Sequence, residues 1–276
     1  MNHELTFPEG APCAYPLFYR SYSRRTDGVR ESWEDVINRV IPGFAKLGKL
    51  TPEETDLIYS RMVKHHTYPA GRLLWVMGTL WFEQQENFLG GYNCTNIDPK
   101  GWEAFGLLAN MAMMGCGTGV ILEQRVLDLL PVIRNTIEVT VDDRIGVKLP
   151  HDRQENTTVK HFDDAPTLIT VGDSRQGWVD AYMALLFLST AEIDSATGVS
   201  VHVNLTHIRP TGEPLSGFGG VANPIKLPGM FEAVARILNR AVGRRLNFVE
   251  ASLVVDEMAL AIVAGGIRHT AGMRQG

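Results

Sequence analysis

A cysteine and a nearby glycine-rich segment are the residues of this sequence whose types and spacing could do redox chemistry on a nucleotide. Cys94 follows two glycines, in a stretch that is too polar for a simple core position, and residues 115–119 read GCGTG. A thiol can act as a redox group or a nucleophile, and backbone without side chains lets a flat ligand come close. The alternative for Cys94 is a buried, inert cysteine, because free cysteine is among the most buried residue types.

The glycine segment does not have the order of a dinucleotide-binding fingerprint. It follows a predicted helix and enters a predicted strand, whereas the fingerprint runs from a strand through the glycine loop into a helix. A pyrophosphate bound at a helix N-terminus is therefore not expected here. Gly115, Gly117 and Gly119 are expected to allow close approach either of a base or ribose or of a neighbouring element of the protein.

The remaining cysteines and the histidines give weaker signals. Cys116 is flanked by glycines and is expected to pack under a turn, and Cys13 is expected to be incidental. The histidines, among them His65 and His66, lack the spacing of metal ligands, so no metal site is predicted. Arg268 follows an apolar helix and could either interact with the carbonyl end of that helix or contact a nucleotide.

Composition and charge restrict the class of protein. The chain has 276 residues, of which 45% are hydrophobic and 21% charged, and this predicts a globular protein with a sizeable core. A net charge of -5 gives no general attraction to nucleic acid or anionic membranes, so neither is expected as a partner. The longest apolar stretch, residues 252–266, is shorter than the roughly 20 residues of a membrane span. Three dispersed cysteines and a non-basic, non-apolar start predict a cytoplasmic location.

Helical signals dominate the first part of the chain and return near its end. Residues 32–35 (SWED) and 51–54 (TPEE) have the form of capping boxes. A further helix is expected to open at residues 98–99 and to end at Gly115. Residues 249–264 are apolar almost all round, which predicts a fully buried helix capped by the two glycines that follow.

Strand signals lie between these helices. Apolar and polar residues alternate over 199–205, and residues 136–141 and 167–171 are also predicted to be strands. A helical pattern lies between the strand over residues 167–171 and the strand over residues 199–205. Strands that alternate with long helices predict an α/β layer or barrel with ligand loops at the strand ends. The predicted fold class is therefore α/β, with a helical N-terminal region.

A set of motifs, in order over nearly the whole chain, resembles a known family. The motifs are residues 18–25 (FYRSYSRR), 71–79 (GRLLWVMGT), 86–88 (ENF), 92–95 (YNCT), 115–119 (GCGTG), 172–178 (GDSRQGW), 209–214 (RPTGEP), 223–224 (NP) and 238–245 (LNRAVGRR). Together they resemble the N-terminal half of a monomeric class II ribonucleotide reductase, which is adenosylcobalamin-dependent, of the ribonucleoside-triphosphate reductase type. The glycyl-radical and diiron branches fit these motifs less well.

The resemblance implies a fold and a division into domains. Residues 1–85 would form a helical N-terminal region, and residues 86–276 would form the first half of a ten-stranded α/β barrel. Residues 123–209 would be an inserted segment that imitates a dimer interface and binds a deoxynucleotide effector. Allosteric regulation would follow from that segment.

The resemblance also implies roles for individual residues. Cys94 would be one member of the redox-active dithiol that delivers two electrons to the ribose of the substrate. The nucleoside would contact a group of small or polar residues, namely Asn93, Thr79, Gly115, Gly117 and Gly119. The specificity loop, which relays the identity of the effector, would begin with Gly265, Gly266, Ile267 and Arg268.

The implied cofactor is adenosylcobalamin, the cobalt-containing vitamin B12 coenzyme, bound mainly by a C-terminal half of the enzyme. That half would carry the thiyl-forming cysteine, the second cysteine of the dithiol, a carboxylate acid/base and a cysteine pair for re-reduction. A lone thiol has no partner at disulfide distance, so this chain by itself is expected to be inactive.

The implied partners are that C-terminal half, a ribonucleotide substrate, a dNTP effector and a thioredoxin-like reductant. The process would be deoxyribonucleotide biosynthesis for DNA replication. The alternative function is a non-catalytic, nucleotide-binding or regulatory module derived from the reductase.

Overall fold

A computed structural model describes residues 7, 10–26, 28–193, 198–215, 221–264, 267–268 and 270–276 of the chain. The chain divides into two compact units. The N-terminal unit consists of Met1–Gly91 with Leu215–Gly219, and the main unit consists of Tyr92–Pro214 with Gly220–Gly276.

The N-terminal unit is largely helical. Its elements are α1 (Ala14–Ser21), β1 (Arg25–Thr26), β2 (Val29–Arg30), α2 (Trp33–Gly48), α3 (Pro52–Val63), α4 (Gly71–Val76) and α5 (Leu80–Glu83), followed by a 3-10 helix over Gln85–Gly91. Both predicted capping boxes are confirmed. The side chains of Ser32 and Thr51 accept the N–H groups of Asp35 and Glu54, whose carboxylates accept the N-cap N–H groups in return. The sequence therefore fixes where α2 and α3 begin.

The main unit alternates strands and helices, and the predicted α/β class is confirmed. Its first elements are β3 (Cys94–Ile97), α6 (Trp102–Met113), β4 (Gly117–Ile121), α7 (Gln124–Leu127), β5 (Ile137–Asp142), β6 (Thr158–Lys160) and β7 (Thr167–Thr170). The later elements are α8 (Arg175–Thr190), β8 (Val199–Asn204), α9 (Leu227–Asn239), α10 (Phe248–Ala261), β9 (Val263–Ala264), β10 (Ile267–Arg268) and β11 (Gly272–Gln275). Short 3-10 helices lie at Pro150–Asp152 and Pro224–Lys226.

Two sheets organise the main unit. One is fully parallel, in the order β11-β4-β3, and α6 forms the crossover between β3 and β4 that parallel strands require. The other has the order β5-β8-β7-β6, in which only β6 runs antiparallel to its neighbour. β9 and β10 pair with each other in an antiparallel manner. A ten-stranded barrel that includes the parallel sheet stays a prediction.

The three predicted strands are confirmed to within one residue as β5, β7 and β8. In β8 the side chains of Val199, Val201 and Val203 are buried, and the residues between them are exposed or half-buried. The period-2 pattern therefore marks one face of the strand against the core.

The predicted start of α6 is wrong. The helix begins at Trp102, behind Gly101, and not at residues 98–99. β3 continues to Ile97, which pairs with Val120 of β4, so the chain is still extended where the sequence suggests a cap. Sheet pairing therefore overrides the local helix signal of Asp98.

The predicted helix over residues 249–264 differs from α10 in length and in burial. α10 ends at Ala261, and the chain then enters β9. Val249, Leu253 and Leu260 are 60%, 39% and 40% exposed, so α10 is buried on one face and not all round. The glycine cap that was predicted to follow lies outside the described residues.

One hydrophobic core joins both sheets of the main unit to α6, α8, α9 and α10. α6 and α8 touch at Gly106, where Met183 Sδ occupies the place that a Cβ would need. The Tyr182 hydroxyl donates to the Val254 carbonyl at 3.1 Å and so joins α8 to α10. Complete burial raises the pKa of Tyr182 well above its usual value. Among the described residues, no helix is long and apolar enough to cross a membrane.

The Asn239 side chain closes part of the open edge of β5, the edge strand of its sheet. Its carboxamide accepts the Ile137 N–H at 2.8 Å and donates to the Ile137 carbonyl at 2.8 Å, as a neighbouring strand would. An open strand edge is otherwise a template for unwanted pairing.

We expect Asn239→Ala to raise the hydrogen-exchange rate of the Ile137 amide by about five- to tenfold, because one net hydrogen bond is lost there. The Val199 amide, which donates to Thr136 within the sheet, should exchange as before. The exchange can be followed by NMR, with Arg240→Ala, an exposed change next to Asn239, as the matched control. An unchanged Ile137 rate in the variant would contradict the assigned role.

Candidate functional site

Cys94 is the first residue of β3, and its side chain is exposed. The parallel register with β4 places Cys94 opposite Gly117. A Cβ built on Gly117 would lie 3.3 Å from Cys94 Sγ, so the sulfur lies directly beside the glycine. The buried, inert alternative does not describe Cys94. Its exposure is what a reactive thiol requires.

Gly115 ends α6. Its N–H donates to the Ala112 carbonyl at 2.9 Å, and the Cys116 N–H donates to the Met111 carbonyl at 3.0 Å. This pair of bonds defines a Schellman motif, in which the residue at the position of Gly115 adopts the left-handed conformation. Gly115 has a φ of 76°, which lies in the left-handed region that favours glycine, so the backbone accounts for this glycine. A contact of Gly115 with a nucleoside stays a prediction.

Gly119 lies beside Asn96, its partner in the register of β3 with β4. A Cβ built on Gly119 would lie 2.8 Å from Asn96 Oδ1, so the carboxamide occupies the space that a side chain would need. Asn96 is exposed and lies two residues after Cys94, on the same face of the strand. Sequence reasoning missed Asn96, although the two-residue spacing from Cys94 was a usable signal.

These residues share one exposed face of the parallel sheet, which we call the Cys94 face. In register with β4, β11 adds Met273 opposite Gly119 and Gln275 opposite Ile121. Met273 is 59% exposed, and Gln275 is exposed as well. The Cys94 face thus carries a thiol, two carboxamides and a thioether around two glycines. Such groups can contact a sugar and an uncharged ring.

The opposite face of the same sheet is part of the core. Thr118 is 2% and Val120 0% exposed. Arg274 of β11 donates to the Thr118 carbonyl at 3.1 Å and to Asp256 of α10 at 2.6 Å. The Thr270 hydroxyl also donates to the carbonyl of Cys116 at 2.5 Å. β11 is therefore tied both to β4 and to α10.

Cys116 is fully buried, as the sequence led us to expect, and its thiol donates to the Tyr92 carbonyl at 3.1 Å. Cys13 is exposed and lies at the N-cap of α1 in the N-terminal unit. Of the three cysteines, Cys94 alone combines exposure with a position on the sheet.

The other predicted substrate contacts lie in different settings. Asn93 directly precedes β3, is exposed, and accepts the Gly117 N–H through its carbonyl at 2.7 Å. Thr79 belongs to the N-terminal unit, where its hydroxyl caps α5 and donates to the Val76 carbonyl at 2.6 Å. The structure brings Asn93, Cys94 and Gly117 together, and a substrate contact of Thr79 stays a prediction.

The predicted specificity loop is described only in part. Ile267 and Arg268 form β10, and their backbones pair with Ala264 and Val263. Gly265 and Gly266 lie outside the described residues. The role of the loop stays a prediction.

An ion-pair network joins two of the sequence motifs. Asp173 of the motif over residues 172–178 accepts from Arg209 Nε at 3.0 Å, and Arg153 lies 3.3 Å from Asp173 and 2.7 Å from Glu213. The hydrogen bond from Arg153 lowers the pKa of Glu213 below its usual value. Arg209 and Glu213 belong to the motif over residues 209–214, so the two motifs meet at a structural network.

The comparisons with known proteins agree with this architecture. Residues 141–238 match the family described as "B12-dependent ribonucleotide reductase, insertion domain". The adenosylcobalamin-dependent ribonucleoside-triphosphate reductase of Lactobacillus leichmannii is 24% identical over 98% of this chain and 41% of its own length. The enzyme of the same name from Lactobacillus acidophilus is 25% identical over 100% of this chain and 42% of its own length.

A solved crystal structure of a B-12 dependent (class II) ribonucleotide reductase has the same fold over most of this chain. The TM-score is 0.73 at 22% identity, and the match covers 95% of this chain and 41% of that one. The chain thus spans about two fifths of the length of the relatives it matches. The resemblance that the sequence motifs predicted, to part of a class II ribonucleotide reductase, is confirmed.

We expect iodoacetamide to alkylate Cys94 in the native chain, and to leave Cys116 unmodified, because the Cys116 sulfur is fully buried. Mass spectrometry of the digested protein can assign each site. The exposed Cys13 is a positive control for reagent access. Modification of Cys116 at the rate of Cys94 in folded protein would contradict the arrangement.

We expect Glu213→Gln to destabilise the chain most above pH 4.5, the usual Glu pKa, where the native carboxylate is charged. The lowered native pKa means that Glu213 contributes stability above its unfolded pKa and loses that contribution as the pH falls through the folded value. The difference between variant and wild type in urea unfolding should therefore shrink from pH 6 to pH 3. A difference that grows toward low pH would contradict the ion pair with Arg153.

Proposed function

We propose that this chain supplies the N-terminal part of a ribonucleotide reductase that converts ribonucleotides to deoxyribonucleotides by thiyl-radical chemistry. The observation that carries the proposal is the exposed thiol of Cys94, held beside Gly117 on a parallel sheet. The relatives of the chain are named adenosylcobalamin-dependent ribonucleoside-triphosphate reductases, which supports the same chemistry.

The proposed reduction is balanced by two thiols. The C2′–OH bond of the ribose breaks and a C2′–H bond forms, while two thiols lose two electrons and two protons, become a disulfide, and water is released. Cys94 is one of these thiols. Cys116 is not the other thiol, because its sulfur is buried and hydrogen-bonded to the Tyr92 carbonyl. We propose that the second thiol comes from the rest of the enzyme, as the resemblance to class II reductases implies.

The rest of the enzyme has to bring its cysteine to the Cys94 face. A disulfide requires Cα atoms about 4.4–6.8 Å apart, so the partner segment must run next to β3 across that face. This geometry is compatible with a barrel in which the Cys94 face points inward. The same remainder supplies the thiyl-forming cysteine and the carboxylate acid/base, and a thioredoxin-like protein re-reduces the disulfide.

The described residues do not by themselves fit adenosylcobalamin. An enclosed cavity among α6, α8 and α10 has a volume of about 10 Å³, far below that of a corrin ring. A larger depression along β5 and α9 is open and lined by Glu138, Glu232, Arg236 and Arg240. We propose that the coenzyme binds mainly to the rest of the enzyme.

Regulation is proposed to reside in the inserted segment. The match to the insertion-domain family covers β8 and nearly all of α9, and it includes the motif over residues 172–178. A dNTP effector bound there would act on the substrate through the loop that begins at residue 265. The network of Arg153, Asp173 and Arg209 would hold this segment in one conformation.

Reconstitution tests the proposal. The chain is mixed with a polypeptide that carries the remaining three fifths or so of a class II reductase, together with adenosylcobalamin, a dithiol reductant and a ribonucleoside triphosphate. We expect deoxynucleotide formation that Cys94→Ser abolishes, because the dithiol is then incomplete. The matched control is Cys13→Ser, which should retain activity.

Two outcomes would count against the proposal. Full turnover by Cys94→Ser would exclude the assigned role of the thiol. Nucleotide binding without turnover in the complete mixture would favour the alternative, a non-catalytic module.

A further inference from the structure

We propose that Asn96 hydrogen-bonds the ribose of the bound nucleotide, and that Gly119 is a positioning residue whose missing side chain leaves room for the Asn96 carboxamide. The inference rests on the proposed nucleotide site at Cys94 and adds to it a specific sugar contact. It also gives Gly119 a role other than direct contact with the ligand.

The position of Asn96 relative to the thiol supports the sugar contact. Cys94 and Asn96 are both exposed and project from the same face of β3. Two residues along a strand are about 6.6 Å apart. A carbon that contacts Sγ at about 3.5–4.0 Å, with a hydroxyl that hydrogen-bonds the amide at about 2.9 Å, fits between these two side chains. A ribose whose C2′ lies at the sulfur would therefore present a neighbouring hydroxyl to Asn96.

The chemistry of the Asn96 carboxamide also supports the sugar contact. An amide offers one acceptor and two donors without charge, and a sugar hydroxyl is both donor and acceptor. A phosphate accepts only and is best held by cations or N–H groups. Arg274, the cation on β11, forms an ion pair with Asp256 and lies on the face of the sheet opposite to the Cys94 face. The chemistry beside Asn96 therefore suits a sugar better than a phosphate.

Lack of space for a side chain explains why residue 119 is a glycine. Gly119 is not one of the glycines with positive φ, so its backbone is open to any residue. What excludes a side chain is space, since a Cβ would lie 2.8 Å from Asn96 Oδ1 and 3.1 Å from the Thr95 carbonyl. Contacts below 3.0 Å force a movement, and the free end of Asn96 is the part that can move. Alanine at 119 would therefore displace the carboxamide before it displaced the strand.

The test uses protection of Cys94 against iodoacetamide by CTP, measured against the same preparation without CTP, because a ligand on the Cys94 face shields that sulfur. The assay is run on the chain alone and on the chain mixed with the rest of the enzyme. The half-protecting CTP concentration is the one at which alkylation of Cys94 is half as fast as without CTP. In Asn96→Ala we expect this concentration to rise about five- to tenfold, because one hydrogen bond to the ribose is lost. The alkylation rate without CTP should stay that of wild type, because the thiol itself is unchanged.

Gly119→Ala and the double variant separate the positioning role from a direct contact. Gly119→Ala should raise the half-protecting concentration as Asn96→Ala does, and the double variant should show no further increase, because both changes remove the same bond. Thr95→Val, on the opposite face of β3, is the matched control. CTP should protect Cys94 in this variant at the same concentration as in wild type.

Three results would overturn the inference. Equal protection of wild type and Asn96→Ala would remove the sugar contact, while leaving the role of Cys94 in reconstitution intact. Additive losses in the double variant would show that Gly119 acts independently of Asn96. Failure of CTP to protect Cys94 in both preparations would show that the Cys94 face does not hold the nucleotide.

Discussion

The register of β3 with β4 is the constraint on which the candidate site depends. It sets Cys94 beside Gly117 and Asn96 beside Gly119, so two polar side chains lie against two residues that have none. A slip by one residue would turn every side chain of β3 to the other face of the sheet. The thiol would then point toward the core in which Val120 is buried. The proposed redox chemistry at Cys94 thus presupposes this one pairing.

Several contacts far apart in sequence hold that register. Gly115 ends α6 with a left-handed turn, so that β4 starts at a defined residue. On the other side of β4, Thr270 bonds the Cys116 carbonyl, and Arg274 bridges from the Thr118 carbonyl to α10. β4 is therefore held along both edges, and this fixes the positions of the side chains on the Cys94 face.

Features encoded locally were predictable from the sequence, and features that depend on distant contacts were not. The capping boxes at Ser32 and Thr51 and the alternation in β8 each depend on residues within a few positions. The start of α6 was missed because pairing of β3 competes with a local cap, and the contact of Asn96 with Gly119 was not predictable because the two residues lie on different strands. The network around Arg153 joins residues 20 and 60 positions away, beyond the reach of motif spacing.

The close contact of α6 with α8 at Gly106 and Met183 has a consequence for the evolution of the chain. The segment that matches the insertion-domain family, which includes α8, could not be excised and its ends rejoined without loss of that contact. Removal of α8 would uncover the buried side of the very helix that leads into the Gly115 turn, and would take away the Tyr182 bond to α10. A shortened descendant would have to rebuild its interior as well. The segment that contains α8 and the sheet that carries Cys94 thus share one hydrophobic core, so neither is expected to fold in the same way without the other.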